Sequence, residues 1–107
     1  MNENKKVFFI INKYSGTGFR ESVEGRIIDY CAARHWECTI EYTQGRGHAT
    51  ELARTAVNQQ SNFVVVAGGD GTVNEAARGL RHTNVPMAIL PTGSGNGLAR
   101  HLHLPIS

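Results

Sequence analysis

Phe63-Val64-Val65-Val66-Ala67-Gly68-Gly69-Asp70-Gly71-Thr72-Val73-Asn74-Glu75 is the stretch that decides how this chain folds. Its first half is a continuous apolar run rich in β-branched residues, the pattern of a strand buried on both faces. Three glycines then surround one carboxylate. Thr72 and Glu75 have the T-x-x-E spacing of a capping box, so a helix is expected to begin at once. A strand, a glycine turn and a helix N-terminus bring backbone close to phosphates. Glycines remove the Cβ atoms that would block the approach, and the free N–H groups of a first helical turn favour anions. Asp70 is the unusual member. Beside a phosphate its charge repels, unless a divalent metal or a proton transfer employs it.

Outward from this centre the chain alternates. Residues 7–11, Val-Phe-Phe-Ile-Ile, form a second apolar run and an expected first strand, followed by the polar loop 12–18. Over residues 19–35 Val23, Ile27, Ile28 and Cys31 recur at helical spacing. Gly25 weakens that helix by roughly 1 kcal/mol relative to alanine. Residues 36–42 place Trp36, Cys38, Ile40 and Tyr42 on one side, as in a half-buried strand near a sheet edge. A helix over 48–59 carries the stripe Ala49, Leu52, Ala53, Ala56 and Val57, the cleanest periodicity in the chain. The helix after the glycine turn should run to about Leu80, with Gly79 near its stop. Residues 85–90 read as a fourth strand with Pro86 at its start. A second glycine-rich turn over 91–97 and a last helix over 98–102 complete the chain.

The resulting order, β-α-β-α-β-α-β-α, implies a three-layer α/β/α domain around a mainly parallel sheet of about four strands. In such folds ligands bind at the C-terminal ends of the strands. Loops 12–18, 43–47, 68–72 and 92–97 should therefore converge on one crevice. The second turn, Gly93-Ser94-Gly95-Asn96-Gly97, repeats the design of the first one strand away. Ser94 or Asn96 could serve there simply as an N-cap, but the repetition favours a shared phosphate site.

Composition narrows the class. The 107 residues suffice for one domain. A net charge of +2, from scattered basic residues, does not mark a nucleic-acid binder. The two cysteines, Cys31 and Cys38, have no C-x-x-C spacing and read as free thiols of a reducing cytoplasm. No apolar run of 18 residues occurs, and the N-terminus lacks the pattern of a signal peptide.

Two nucleotide fingerprints are excluded. The chain contains no G-x-x-x-x-G-K-[ST], so it carries no Walker P-loop. The first loop has Gly16-Thr17-Gly18 but no third glycine, and no acidic residue closes the second strand, which disfavours a dinucleotide oxidoreductase. Other residues have ordinary readings beside functional ones. Thr72 and Glu75 either cap or contact a ligand. His48 caps, lies in solvent or bonds a phosphate. Arg100 reaches a phosphate or is solvated. His101 and His103 have a poor metal spacing and read as surface residues, and Trp36 and the tyrosines read as packing rather than a base-stacking platform.

Together, Gly68-Gly69-Asp70-Gly71-Thr72-x-Asn74-Glu75 and Pro91-Thr92-Gly93-Ser94-Gly95-Asn96-Gly97-Leu98-Ala99-Arg100 resemble the catalytic domain of the diacylglycerol kinase and sphingosine kinase family. Asn12-Lys13-Tyr14-Ser15-Gly16 resembles that family's N-P-x-S-G loop, with Lys13 in place of proline. Thr43 with Gly47-His48-Ala49 resembles its T…G-H-A element. The first glycine motif is shared with NAD kinases and, more loosely, phosphofructokinases; the second narrows the choice.

The resemblance implies ATP bound in the crevice and its γ-phosphate passed, with Mg²⁺, to the free hydroxyl of a lipid. Carried over by position, Asn12, Ser15, Gly16 and Thr43 would hold the nucleotide. Gly68, Gly69, Asp70, Gly71, Thr72, Asn74 and Glu75 would form the main phosphate loop, and Gly93 and Ser94 would contact phosphate from the second. Asp70 would deprotonate the lipid hydroxyl or organise Mg²⁺ through water. Gly97 stands where many bacterial diacylglycerol kinases have aspartate, which leaves the lipid open between diacylglycerol and a sphingoid base. Family members continue into a β-rich domain that carries the lipid pocket. Residues 1–107 thus resemble the nucleotide-binding half alone, expected to be inactive by itself, cytoplasmic, peripheral to membranes when active, and open to homodimerisation. An NAD kinase fragment and a non-catalytic nucleotide-binding module are the alternatives.

Overall fold

The computed structural model describes residues 5–12 and 19–90. Within them lie β1 (Lys6–Asn12), α1 (Phe19–Ala33), β2 (Glu37–Thr43), α2 (His48–Asn58), β3 (Phe63–Ala67), α3 (Asp70–Gly79) and β4 (Met87–Leu90). All strand pairs are parallel, in the order β2-β1-β3-β4. The expected alternating architecture is present. The expected last helix and second glycine turn lie outside the described residues.

The two apolar runs occupy the centre because each is buried on both faces. Val7, Phe9 and Ile11 of β1 join Phe63, Val65 and Ala67 of β3 on one face, under Ile27 and Cys31 of α1. Phe8, Ile10, Val64 and Val66 face the other way, under Ala49, Leu52, Ala53 and Ala56 of α2 and Ala76 of α3. Fully burying such a large apolar side chain contributes roughly 1.5–3 kcal/mol before entropy is charged, so this double-sided pair is the main stabilising element. The alternating strand β2 lies at an edge, as its pattern implies.

Several local expectations need correction. In α1 Ile27 and Cys31 face the core, but Ile28 is 47% exposed; the helix turns it away. β4 starts at Met87 rather than residue 85, because Pro86 supplies only its carbonyl, which accepts from Val64 N–H at 3.0 Å. Gly79 is not a conformational stop. A Cβ there would lie 2.5 Å from the Thr50 carbonyl oxygen and 2.7 Å from Ala53 Cβ, so the glycine permits α2 and α3 to touch. The left-handed residues beyond α1 and α2 are His35 and Gln60. Their neighbours Trp36 and Ser61 return N–H bonds to Cys31 and Ala56, a six-to-one closure of each helix end.

Trp36 and Phe63 lie at the opposite edge of the sheet from the post-strand loops. Trp36 meets Phe63 edge-on with ring centroids 5.6 Å apart, and Arg34 stacks 3.4 Å above Tyr30. They are packing, as the sequence suggests. Cys31 and Cys38 are free thiols. Among the described residues no helix is long and apolar enough to cross a membrane.

Candidate functional site

Parallel pairing brings the C-terminal ends of β1, β2 and β3 to one edge. Asn12 is in register with Thr43, and Ile11 with Ala67. A crevice of about 330 Å³ opens there, lined by Asn12, Thr43, Gly45, Arg46, Gly71, Thr72 and Glu75. Small-ligand sites fall roughly between 300 and 1,000 Å³.

The floor is set by Gly68. A Cβ on it would stand 2.9 Å from Thr72 Cβ and 3.1 Å from Asn12 Cβ. The missing side chain lets β1 and the first turn of α3 close upon β3, and Asn12 Nδ2 donates to Thr72 Oγ1 at 3.1 Å. Gly69 and Gly71 differ: a Cβ on either meets nothing within 4 Å. These two glycines leave open space on the loop instead of relieving a clash, as a cradle for a bulky anion requires. None of the three uses a left-handed backbone; among the described glycines only Gly47 does, at φ 82°.

The capping box is absent. Helix α3 begins at Asp70 after Gly69, whose extended backbone caps it without a side-chain bond. Thr72 is therefore inside the first turn, and its hydroxyl serves Asn12. The Glu75 carboxylate reaches across to accept from Gly47 N–H at 3.0 Å, while the Glu75 carbonyl accepts from Thr50 Oγ1 at 2.7 Å. Local spacing suggested a local pair, but tertiary partners took both side chains.

Asp70 is exposed at the first position of α3. No group of three or more His, Cys, Asp or Glu side chains capable of holding a metal occurs among the described residues.

Of the residues singled out in the sequence, the fold gathers Asn12, Thr43, Gly71, Thr72 and Glu75 around the crevice, with Gly68, Gly69 and Asp70 in the adjoining turn. Asn74 is on the outer side of α3, in a separate depression with Ala77, Arg78 and Arg81. Ser15, Gly16, Gly93 and Ser94 lie outside the described residues. Arg46 was not anticipated. Its signal was its place, between Gly45 and Gly47 on a loop following a strand.

Residues 6–107 match the diacylglycerol kinase catalytic domain. The chain is 31% identical over 103 residues to the diacylglycerol kinase of Staphylococcus carnosus (strain TM300), covering 94% of this chain and 34% of that protein. It is 31% identical over 115 residues to sphingoid long chain base kinase 5 of Saccharomyces cerevisiae, covering 94% of this chain and 16% of that one. A crystal structure of a diacylglycerol kinase from Bacillus anthracis str. Sterne superposes with a TM-score of 0.72 at 29% identity, over 98% of this chain and 39% of the other. The chain thus spans about a third of the length of the diacylglycerol kinases from Staphylococcus carnosus and Bacillus subtilis.

Proposed function

The chain belongs to the diacylglycerol kinase catalytic domain family, and from that premise we propose that it is the ATP-binding half of a lipid kinase. In this reading the γ-phosphate of ATP passes to a lipid hydroxyl. The P–O bond to ADP breaks, a P–O bond to the lipid forms, and the hydroxyl proton leaves.

The supporting observation is the pair of glycines, Gly69 and Gly71, that open onto space at a helix N-terminus beside a crevice of suitable size. Backbone N–H groups of that first turn are fixed donors for phosphate oxygens. Gly68 and the Asn12–Thr72 bond hold the turn against the sheet. Asn12 and Thr43, at neighbouring strand ends, are assigned to the nucleotide, and the family resemblance assigns Ser15, Gly16, Gly93 and Ser94 to it as well. Asp70 would either take the hydroxyl proton or hold Mg²⁺ through water. When bound, that ion would neutralise charge on the transferred phosphoryl group. The lipid pocket, for diacylglycerol or a sphingoid base, belongs to a β-rich domain outside these residues; the chain alone is expected to bind nucleotide without transferring it.

Calorimetric titration with Mg-ATP, and in parallel with NAD, tests this reading. Saturable binding of Mg-ATP with no competition from NAD is expected. Preferential binding of NAD would convert the assignment to an NAD kinase.

A further inference from the structure

The loop between β2 and α2 brings a cation to the crevice. Among the described residues that line the crevice, Arg46 is the one cation, and Gly71 and Thr72 of the glycine turn line the same cavity. No carboxylate among the described residues holds Arg46 in an ion pair. Glu75, which lines the crevice with it, spends its carboxylate on Gly47 N–H instead.

The loop itself is closed by its own bonds. Gln44 N–H donates to His48 Nδ1 at 2.8 Å, and His48 N–H to the Gly45 carbonyl at 3.2 Å. These bonds set its shape but not its place. The Glu75 carboxylate ties it to α3 at Gly47 N–H, while the Glu75 backbone carbonyl accepts from Thr50 Oγ1 of α2. Gly47 can present its N–H to α3 because its left-handed backbone, φ 82°, is accessible to glycine without strain.

We propose that Arg46 is a phosphate-contacting cation of this crevice, and that Glu75 is the positioning residue that holds the Arg46 loop over the phosphate turn. The inference rests on the nucleotide reading above and deepens it. A guanidinium presents planar, forked donors to phosphate oxygens and stays charged at any working pH. A carboxylate pointed at the same phosphates would oppose them, whereas one bonded to Gly47 N–H serves the loop.

The test is Mg-ATP calorimetry on the wild-type chain and on R46A, E75A, E75Q and the R46A/E75A pair. R46A should weaken binding about tenfold, the loss of one charge-assisted contact, and flatten its dependence on salt. E75A should weaken it by a similar factor. E75Q should restore binding, because its amide oxygen accepts the same N–H bond. The double variant should be no weaker than about twofold beyond either single one, since coupled residues do not add. R46A within twofold of wild type, or factors that multiply in the double variant, would overturn the proposal.

A ligand-free arm separates this proposal from the nucleotide reading. The Gly47 and Gln44 amide resonances should move in E75A and stay in E75Q. Unmoved resonances in E75A would overturn the positioning role. If the wild-type chain takes up no Mg-ATP, the nucleotide reading fails and Arg46 fails with it. If wild type binds and R46A binds as well, only the Arg46 assignment fails.

Discussion

Asn12 and Thr72 are sixty positions apart in the chain, yet Asn12 Nδ2 donates to Thr72 Oγ1 at 3.1 Å. The bond ties the end of the first strand to the first turn of α3. It is possible because Gly68 offers no side chain between them. One hydrogen bond over one missing Cβ therefore ties the Gly68–Thr72 turn to the strand ends.

Asn12→Ala removes that bond and should cost about 1 kcal/mol of stability, the usual worth of one part-buried hydrogen bond. The phosphate turn loses its anchor, so Mg-ATP affinity should fall several-fold as well. Urea unfolding and calorimetry measure the two effects separately. Unchanged affinity would mean that the turn holds its shape without Asn12.

Gly68→Ala and Gly71→Ala should behave oppositely. At Gly68 a Cβ lies 2.9 Å from Thr72 Cβ and 3.0 Å from its hydroxyl, so crowding should destabilise the fold by about 1–3 kcal/mol. At Gly71 a Cβ meets nothing, and alanine suits a helix, so stability should hold or rise by about 0.5–1 kcal/mol. The Gly71 methyl nevertheless occupies the space proposed for phosphate, and nucleotide binding should drop. A Gly71→Ala chain that is stable and binds ATP normally would remove the cradle from the account.

Gly79→Ala should reverse the ordinary helix preference. Alanine in a helix is favoured over glycine by up to about 1 kcal/mol. Here the added Cβ would stand 2.5 Å from a backbone oxygen of α2, which cannot rotate away. The expected net effect is a loss of about 1–3 kcal/mol, read as a lowered Tm.

Burial pushes the Cys31 thiol from its ordinary value of 9.0 up to about 12, with the neighbouring Cys38 adding to the rise and Arg34 opposing it. A raised thiol pKa keeps the proton on the folded chain after the unfolded chain has released it. The unfolded state then binds fewer protons, so stability is complete below about pH 9 and falls as pH climbs towards 12. Unfolding measured from pH 8 to 10.5 should show that slope, and Cys31→Ala should reduce it. Iodoacetamide at pH 8 should spare Cys31 until the chain unfolds.

The sequence was most legible where one residue pattern had one cause. The apolar runs of β1 and β3 are buried on both faces, and their strands are central for that reason. The alanine stripe of α2 lies where its period puts it. Legibility ended where partners were distant in sequence. Thr72 and Glu75 had the spacing of a local cap, but Asn12 and Gly47 claimed them. Gly79 looked like a helix stop, whereas its cause was a neighbouring helix about thirty positions away. Arg46 itself was not singled out: the loop 43–47 was expected to meet 68–72 at one crevice, and the fold adds that Arg46 is among the residues lining it.

The most direct test of the central claim is a map of backbone amide shifts as Mg-ATP is added to this chain. The account predicts shifts gathered in residues 12–18, 43–47, 68–75 and 93–97, with little change around Trp36 at the opposite sheet edge. Shifts centred on that opposite edge, or on the outer face of α3 near Arg78 and Arg81, would contradict it.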